Sequence, residues 1–368
     1  MKRIFGLLLV VIAALCVAFG LSACGNGSED GKNGGSDQPD YNDERLQFTL
    51  NADGKSYSVS AGSNVTGDIV IPDTYNGKPV TELGEEAFYS TELTSVKIPD
   101  SVKTIGEWAF CKCEQLTDVT IGNGVTVIGW GTFAWCTALK NVAMGDNIIT
   151  ISENAFGGCS ALGEIKIPNS VVTIGNVAFA QCTALTNIEI PDSVVIIGES
   201  TFGECSSLKS VKFGKNSNLK TIENSAFVRC VSMTEIKIPK GVTKIGENAF
   251  EECEALKTVT ISDSVTEIGE HAFMKCYALQ NIALPAGIKT IAFETFLECG
   301  SLKEIVIPAN VTEIKERAFA RCNSLEKATF MQTKGWSAWG DTIKLDEDLS
   351  WNAHYLTVAY VDAAWTRT

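Results

Sequence analysis

The sequence of 368 residues is poor in groups used for acid–base chemistry and metal binding, since it holds only two histidines, His271 and His354. His271 stands at a variable position beside a repeated Phe and is expected to be solvated, and His354 is expected to belong to a C-terminal cap. No Gly-rich phosphate loop follows a strand pattern, and no Gly-x-Ser-x-Gly nucleophile elbow occurs. No Cys-x2-Cys pair marks a zinc site. We therefore expect a protein that is not an enzyme and that uses no metal or cofactor.

The sequence also lacks an excess of positive charge. It has 30 Lys and Arg against 44 Asp and Glu, which gives a formal net charge of −14. Removal of Lys2 and Arg3 with a signal peptide takes away two positive charges and leaves −16. This balance argues against nucleic acid as a partner and against non-specific adhesion to anionic lipid. An anionic partner would need a local basic patch.

A phenylalanine recurs every 23 residues through most of the chain, with a step of 22 at the start and of 25 between Phe202 and Phe227. The longer step includes residues 214–220, which carry a two-residue insertion. The eleven equivalent positions are Phe88, Phe110, Phe133, Phe156, Phe179, Phe202, Phe227, Phe250, Phe273, Phe296 and Phe319. A repeat of this length predicts a solenoid, in which each coil buries its apolar face against its neighbours.

Other columns of the repeat show which side chains point inward. An aliphatic residue such as Ile245 stands five positions before each Phe, and a Leu such as Leu256 stands six positions after most of them. Apolar pairs two residues apart follow, such as Val119 and Ile121. Spacings of three to five that pass into a spacing of two predict a turn-like or helical side followed by a short strand. A Pro such as Pro191 ends the strand, because it has no amide hydrogen to donate.

The repeated pattern, Ile-Gly-x-x-Ala-Phe-x-x-Cys-x-x-Leu-x-x-Ile-x-Ile-Pro over residues 174–191, closely resembles the BspA-like subclass of bacterial leucine-rich repeats. The resemblance covers roughly residues 68–330 in eleven copies. It implies a right-handed β/α coil stack with a short parallel sheet on one face, carried on a bacterial surface and often credited with adhesion. The sequence departs from the general leucine-rich form, because a regular Asn after the strand is missing and a Cys before the Leu is regular instead.

The N-terminus has the features of a secretory signal peptide, with Lys2 and Arg3 before an uncharged apolar run over residues 4–20. The run ends in Leu-Ser-Ala-Cys24, which resembles the lipobox of bacterial lipoproteins and implies cleavage before Cys24 and acylation of that residue. Several acyl chains on one residue anchor a protein stably to a membrane. An ordinary signal peptide with an incidental cysteine is the alternative.

The folded part is predicted to carry a cap at each end. An alternation of apolar residues around a turn at residues 51–54 indicates an N-terminal hairpin. Near the C-terminus, Ser350 is expected to cap a helix whose apolar face is Trp351, Tyr355, Val358 and Ala359. A carbohydrate-binding module built on the C-terminal tryptophans is the alternative to this helical cap. The predicted divisions are a signal peptide at 1–23, a disordered tether at 24–44, the N-terminal cap at 45–79, the solenoid at 80–330 and the C-terminal cap at 331–368.

Thirteen cysteines do not predict a disulfide scaffold here. Cys16 belongs to the signal peptide, Cys24 takes lipid, and Cys111 stands apart from the others. The remaining ten share one column, three residues after the Phe, and are Cys113, Cys136, Cys159, Cys182, Cys205, Cys230, Cys253, Cys276, Cys299 and Cys322. We interpret this column as an internal ladder of free thiols that behave as small apolar side chains. Bridging between neighbouring coils is the alternative, since their separation of about 5 Å does not forbid it.

Two surfaces are candidates for binding. On the strands, the outward columns are small and mixed in charge, and their most distinctive members are Lys166, Lys212 and Lys237. No aromatic residue stands in these columns, although aromatic anchors usually dominate protein binding energy. The second surface is on the turn side of the second and third coils, where Trp108, Trp130 and Trp135 replace residues that are polar in most copies. These three rings are predicted either to form one aromatic patch for a ligand, with Cys111 at its edge, or to pack locally over their neighbours.

The sequence therefore predicts an exported, lipid-anchored and surface-exposed protein of the cell envelope. Its expected work is adhesion to a protein or glycan of a host or neighbouring cell, with the membrane reached through the lipid anchor. A structural envelope protein without a specific ligand is the first alternative. A hydrolase is the second, with Glu247 and His271 as the residues to replace in its test.

Overall fold

A computed structural model describes residues 43–345 and 348–368. It confirms the predicted repeat solenoid, which has about 12 turns where the sequence predicted eleven repeats, with a spacing of roughly 23 residues. The predicted signal peptide, Cys24 and nearly all of the tether lie outside the described residues. In the part that the structure describes, no helix is both long and apolar enough to cross a membrane.

One side of the coils carries a row of parallel strands, which we call the long-strand row. Its strands are Thr66–Val70, Glu92–Ile98, Asp118–Ile121, Asn141–Ala143, Asn187–Ile190, Ser210–Phe213, Glu235–Lys237, Thr258–Thr260, Asn281–Ile282, Glu304–Ile307 and Lys327–Phe330. They pair in register, as Val119 does with Val96 and Val142. The row is not continuous, because it divides into four sheets, and one of the breaks falls between Ser210–Phe213 and Glu235–Lys237.

A second row of parallel strands, the short-strand row, lies on another side of the coils. Its members are Lys78–Leu83, Thr104–Ile105, Val127–Ile128, Thr150–Ile151, Thr173–Ile174, Ile196–Ile197, Thr221–Ile222, Lys244–Ile245, Glu267–Ile268, Thr290–Ile291 and Glu313–Ile314. The sequence predicted a sheet on one face only, since strands of two residues are too short to show an alternation. Within the described residues, helix occurs only in the C-terminal cap, so the side of each coil with the Ala-Phe pair is made of turns.

The Phe side of each coil is held by an unusual backbone pattern. The residues two before and two after each repeated Phe have positive φ, although most are not glycine; around Phe110 these are Trp108 at 57° and Lys112 at 59°. Every second amide in this stretch donates to the next coil, as Phe110 N does to the carbonyl of Thr132 at 2.8 Å. An αL residue costs about 1–2 kcal/mol when it is not glycine. The bonds between coils satisfy the buried backbone and offset that cost.

The repeated phenylalanines form one continuous stack through the core. All eleven are essentially inaccessible to solvent. In the ten successive pairs the ring centroids lie 5.2–5.6 Å apart, with interplanar angles of 3–14°. Offset-stacked rings at this separation add roughly 0.5–1.5 kcal/mol per pair beyond the burial of their area. The stack explains why every one of the eleven coils has Phe at this position.

The cysteine column forms a second ladder beside the rings. All eleven cysteines of the described residues are free thiols and are buried. Each thiol of the column donates to the carbonyl of the preceding coil's Phe, from Cys113 on Phe88 at 3.0 Å to Cys322 on Phe296 at 3.1 Å. This arrangement agrees with the free-thiol interpretation. It also shows why the residue is Cys, since the position needs a small apolar side chain with one weak donor.

The N-terminal cap closes both strand rows. Leu46–Leu50 and Tyr57–Ala61 form the predicted antiparallel hairpin, and its second strand pairs in parallel with Lys78–Leu83. Thr66–Val70 pairs with Glu92–Ile98 and covers the first long strand. Thr74–Tyr75 folds back on Lys78–Leu83. The first coil therefore has paired strands on both rows, and Leu46–Leu50 and Thr66–Val70 are the end strands of their sheets.

The C-terminal cap combines a helix with a small antiparallel sheet. Trp365–Arg367 pairs with Glu313–Ile314 of the last coil and with Trp336–Ala338, which also pairs with Asp341–Thr342. The predicted helix exists over Leu349–His354 and continues as a π-helical turn over Tyr355–Ala359.

The predicted cap residue and apolar face of this helix are wrong. Asp348 is the N-cap, and its side chain accepts the amide hydrogen of Ser350. The buried residues are Asn352, Ala353 and Leu356. By contrast, the side chains of Trp351 and Val358 are 54% and 60% exposed. The buried face thus begins one residue later than the predicted one, and the π turn that follows changes the helical period over Tyr355–Ala359.

Candidate functional site

The aromatic candidates are only partly brought together. The rings of Trp108 and Trp130 contact each other edge to face, with centroids 4.7 Å apart. The ring contacts of the described residues do not join Trp135 to this pair. Trp130 and Trp135 are 41% and 46% exposed, whereas Trp108 is half-buried. The two exposed rings are therefore available to a ligand from two separate places on the turn side.

Two of the three tryptophans lie over glycines of the following coil. A Cβ placed on Gly131 would come within 2.4 Å of the Trp108 ring, and one on Gly158 within 2.6 Å of the Trp135 ring. Each glycine stands in the same repeat column as the Trp that covers it. The rings of Trp108 and Trp135 thus pack locally, as the alternative interpretation predicted for them. Trp130 has no such glycine and is the ring best placed to meet a partner.

Cys111 does not stand at an exposed edge of this surface. Its side chain is buried beneath the turn, and burial raises the pKa of the thiol to about 11. At neutral pH the thiol is protonated and weakly nucleophilic. Cys111 is therefore part of the packing below Trp108 and takes no part in a reactive site.

Lys212 and Lys237 lie on strands of the long-strand row, and Lys166 lies at the same column in a coil that has no strand there; the alternating burial confirms that all three point outward. Lys166 and Lys212 line an open groove of about 580 Å3, together with Lys140 and three acidic residues. The acidic residues of this groove are Asp118, Glu164 and Glu189. With three cations and three carboxylates, the groove has no net charge. It is a polar surface without a preference for a charged ligand.

A second groove, of about 910 Å3, lies where the long-strand row is broken, and we call it the lysine groove. Lys212 and Lys237 line it together with Lys215 and Lys240, and its one acidic residue is Glu189. The sequence predicted Lys212 and Lys237 as binding residues but did not predict Lys215 and Lys240. Lys215 and Lys240 lie three residues after Lys212 and Lys237, in a turn that follows each strand. A comparison of that turn position between coils would have found them.

The turn side of the later coils carries charges that satisfy one another. In the column two residues after the Phe, Arg229 lies between Glu204 and Glu252, with its Nε 2.8 Å from a Glu252 carboxylate oxygen. Lys275 pairs with the same Glu252. Arg321 pairs with Glu298 in the same column. Side chains of opposite charge in adjacent coils thus pair with one another on this surface.

The residues that sequence analysis weighed for catalysis show no catalytic arrangement. His271 Nε2 lies 3.3 Å from Glu294, which also pairs with Arg317, and the ring packs edge-on against Phe293. These contacts correct the expectation that His271 is simply solvated. Within residues 43–345 and 348–368, no group of three His, Cys, Asp or Glu side chains is placed to hold a metal ion.

Comparison with known proteins agrees with this architecture. A leucine-rich repeat protein from Bacteroides ovatus is 28% identical with a TM-score of 0.50, and the match covers 78% of this chain and 94% of that one. A leucine rich cell surface protein from Faecalibacterium prausnitzii is 28% identical with a TM-score of 0.44, over 80% of this chain and 95% of that one. The pneumococcal vaccine antigen PcpA is 20% identical with a TM-score of 0.46, over 80% and 82%.

A search of curated proteins finds no match. The family model described as "BspA type Leucine rich repeat region (6 copies)" matches residues 81–209, 126–242 and 220–335. Solenoids of this kind are generally binding scaffolds without enzymatic activity, and the comparisons indicate no enzyme family. Since the three matches together span residues 81–335, well over half of the sequence, the chain belongs to the BspA type leucine-rich repeat family.

Proposed function

We propose that this protein is an adhesin, exported and anchored to the membrane by lipid on Cys24, that recognises a protein or glycan of a host or neighbouring cell. The observation that carries the proposal is the outward column of the long-strand row. Its members Lys166, Lys212 and Lys237 line open grooves and, among the described residues, form no ion pair. A scaffold held by stacked rings and ladders of hydrogen bonds keeps such side chains in place for a partner.

The turn side supplies a second, separate contact area. Trp130 and Trp135 present large apolar surfaces to solvent, and tryptophan is enriched among residues that dominate binding energy. A structural envelope protein without a specific ligand stays the alternative. It predicts self-association and cofractionation with the cell wall, and no saturable binding to another molecule.

The test is an array of glycans and extracellular-matrix proteins, probed with the full chain in detergent. Beside it runs the triple variant in which Trp108, Trp130 and Trp135 are replaced by Asn, Glu and Gly. The single variant Trp130→Glu separates binding from packing, because Trp130 covers no glycine and its loss should lower the melting temperature little. Saturable binding to an array member supports the adhesin. A blank array together with self-association of the chain would favour the structural alternative.

A further inference from the structure

The lysine groove lies at the one coil that is longer than the 23-residue repeat. The two-residue insertion after Phe202 falls within residues 214–220, and the long-strand row is interrupted between this coil and the next. The groove opens at that interruption, with Val211 and Phe213 among its lining residues. The row is also interrupted at two other places, but the two-residue insertion occurs only here. The lysine groove therefore combines a break in strand pairing with a longer turn.

Two consecutive coils change the same turn position to lysine. The position lies 13 residues after the repeated Phe, or 12 in the first coil, and is occupied by Lys215 and Lys240 in these two coils. The other coils carry Asp100, Asn123, Asp146, Asn169, Asp192, Asp263, Ala286, Ala309 and Gln332. Acidic or amide side chains here bond to the next coil, as Asp100 Oδ1 accepts the amide hydrogen of Asn123 at 2.6 Å. Lysine has no acceptor, so these two coils give up that bond and gain a charge.

The four lysines form two matched pairs. Lys212 and Lys215 belong to one coil and Lys237 and Lys240 to the next, and each pair is separated by three residues. In an extended backbone, three residues span roughly 10 Å. All four side chains are exposed and line the same groove. The arrangement is an array of four ammonium groups along and across neighbouring coils.

The lining of the groove holds these four cations and one carboxylate, that of Glu189, which lies opposite Lys212 on the neighbouring strand. Among the residues that the structure describes, none of the four lysines makes an ion pair or a side-chain hydrogen bond. The arginine and lysine of the turn side are paired, as Arg229 and Lys275 are with Glu252. At the turn position of the preceding coil, the Asp192 carboxylate accepts the amide hydrogen of Asn216 rather than a hydrogen from an ammonium group. Four unpaired cations in a chain of net charge −14 are a local exception to its overall electrostatics.

We propose that the lysine groove binds an acidic polysaccharide through the sulfate or carboxylate groups along its chain. This inference rests on the proposed function and names the chemistry of the partner at one site. Lysine supplies flexible point charges that suit anions spaced along a polymer, whereas a site for one carboxylate or phosphate more often uses the planar fork of arginine. The groove is open and has no exposed aromatic anchor, so it lacks the usual centre of a protein interface. The negative charge of the whole chain works against nucleic acid, whose charge density is high along its full length.

The test compares two variants with equal changes of charge. Lys215→Asn with Lys240→Asn restores a residue that other coils carry at this turn position and removes two charges from the groove. Lys289→Asn with Lys303→Asn removes two exposed lysines elsewhere on the surface and is the matched control. The full chain in detergent is titrated onto immobilised heparin, which is sulfated, and hyaluronan, which carries only carboxylates. Neutral dextran, polyglutamate and duplex DNA serve as comparison ligands.

We expect the wild-type chain to bind one or both acidic glycans saturably, and dextran not at all. In 0.15 M salt, the groove variant should bind about tenfold more weakly, whereas the control should change by less than about twofold. A loss seen only with heparin assigns the site to sulfate, and a loss with both ligands assigns it to anionic sugars in general. The melting temperature of the groove variant should not fall, since Asn is native to this position.

Other outcomes would overturn the inference. Equal loss in both variants would mean that only overall charge matters, and unchanged binding in the groove variant would place the glycan elsewhere on the protein. Tighter binding of polyglutamate or DNA that depends on Lys215 and Lys240 would assign the groove to another polymer. If the wild-type chain binds no acidic glycan but still binds a partner on the array, the inference fails while the adhesin stands. If it binds nothing in either assay, both fail.

Discussion

At the scale of single residues, the side chains that flank each repeated Phe differ in how well they suit the local backbone conformation. Both flanking columns have positive φ, a conformation that Asn and Gly adopt readily and β-branched residues adopt at a cost. Asn154 and Asn248 suit the column two residues before the Phe, whereas Val177 holds a φ of 47° in the same column. Val177 is therefore the position where backbone and side chain disagree most.

Replacement of this valine should stabilise the protein. Val177→Asn is expected to raise the free energy of unfolding by about 1 kcal/mol, because Asn tolerates the αL region and the half-buried valine loses little packing. Urea denaturation followed by circular dichroism measures the change. Ser200→Asn, at the same column of the next coil, is the control and should change stability less. A loss of stability in Val177→Asn would show that valine packing outweighs backbone strain.

The thiol ladder gives the protein a specific response to alkali. Burial raises the pKa of Cys205 and of Cys253 to about 12, against an ordinary value of 9.0. Because the folded-state pKa is raised, each thiol stays protonated when folded while it ionises in the unfolded chain. This contribution to stability is complete below pH 9 and is lost as the pH rises towards 12.

The free energy of unfolding should therefore fall steeply as the pH rises above 9. The double variant Cys205→Ala with Cys253→Ala should be less stable at pH 7, because it leaves two small cavities. Between pH 9 and 11 its stability should fall less steeply than that of the wild type, by up to about 1.4 kcal/mol per pH unit for each thiol removed. Urea titrations at several pH values measure both slopes. Equal slopes would mean that these thiols ionise in the folded protein.

At the scale of structural elements, stability comes from contacts between neighbouring coils. Each repeated Phe stacks only on the Phe before it and the Phe after it, as Phe179 does on Phe156 and Phe202. The backbone ladders join the same neighbours. Such a solenoid is a linear series in which each coil depends on its own properties and on two interfaces.

A double-mutant cycle tests this picture of nearest neighbours. Phe179→Leu and Phe202→Leu remove adjacent rings whose centroids lie 5.6 Å apart, and their effects should deviate from additivity by at least about 0.5 kcal/mol. Phe179→Leu with Phe250→Leu is the matched pair without contact, and its effects should add within about 0.5 kcal/mol. Urea unfolding supplies the four free energies of each cycle. Coupling of equal size in both cycles would mean that the coils respond as one undivided core.

How far the sequence predicts these elements depends on whether a residue's environment repeats. The Phe, Leu and Ile columns predicted the core because burial returns every 23 residues. The short-strand row was not predicted, since pairs such as Thr173–Ile174 leave no alternation to detect. The predicted apolar face of the C-terminal helix was wrong because Trp351 is exposed while Asn352 and Ala353 are buried, and a π turn then changes the helical period. Lys212 was found from its column, but the groove was not, because it depends on a break in pairing at the insertion.

At the scale of the whole molecule, the surfaces differ in how completely their charges are satisfied. The two ends are covered by paired strands. On the turn side, charged side chains of adjacent coils form ion pairs, as Arg229 does with Glu252. The lysine groove keeps four unpaired cations on a chain of net charge −14. Long-range attraction of an anionic partner is therefore weak, and binding has to come from close contact at this groove.

Lysine footprinting of the full chain tests this account most directly, because it measures each side chain separately. An amine-reactive acetylating reagent is applied with and without saturating heparin, and mass spectrometry follows the modification rate of every lysine. We predict that Lys212, Lys215, Lys237 and Lys240 are modified several-fold more slowly with heparin, whereas Lys289 and Lys303 are unchanged. Equal protection of all lysines, or protection that spares the groove, would contradict recognition at the lysine groove.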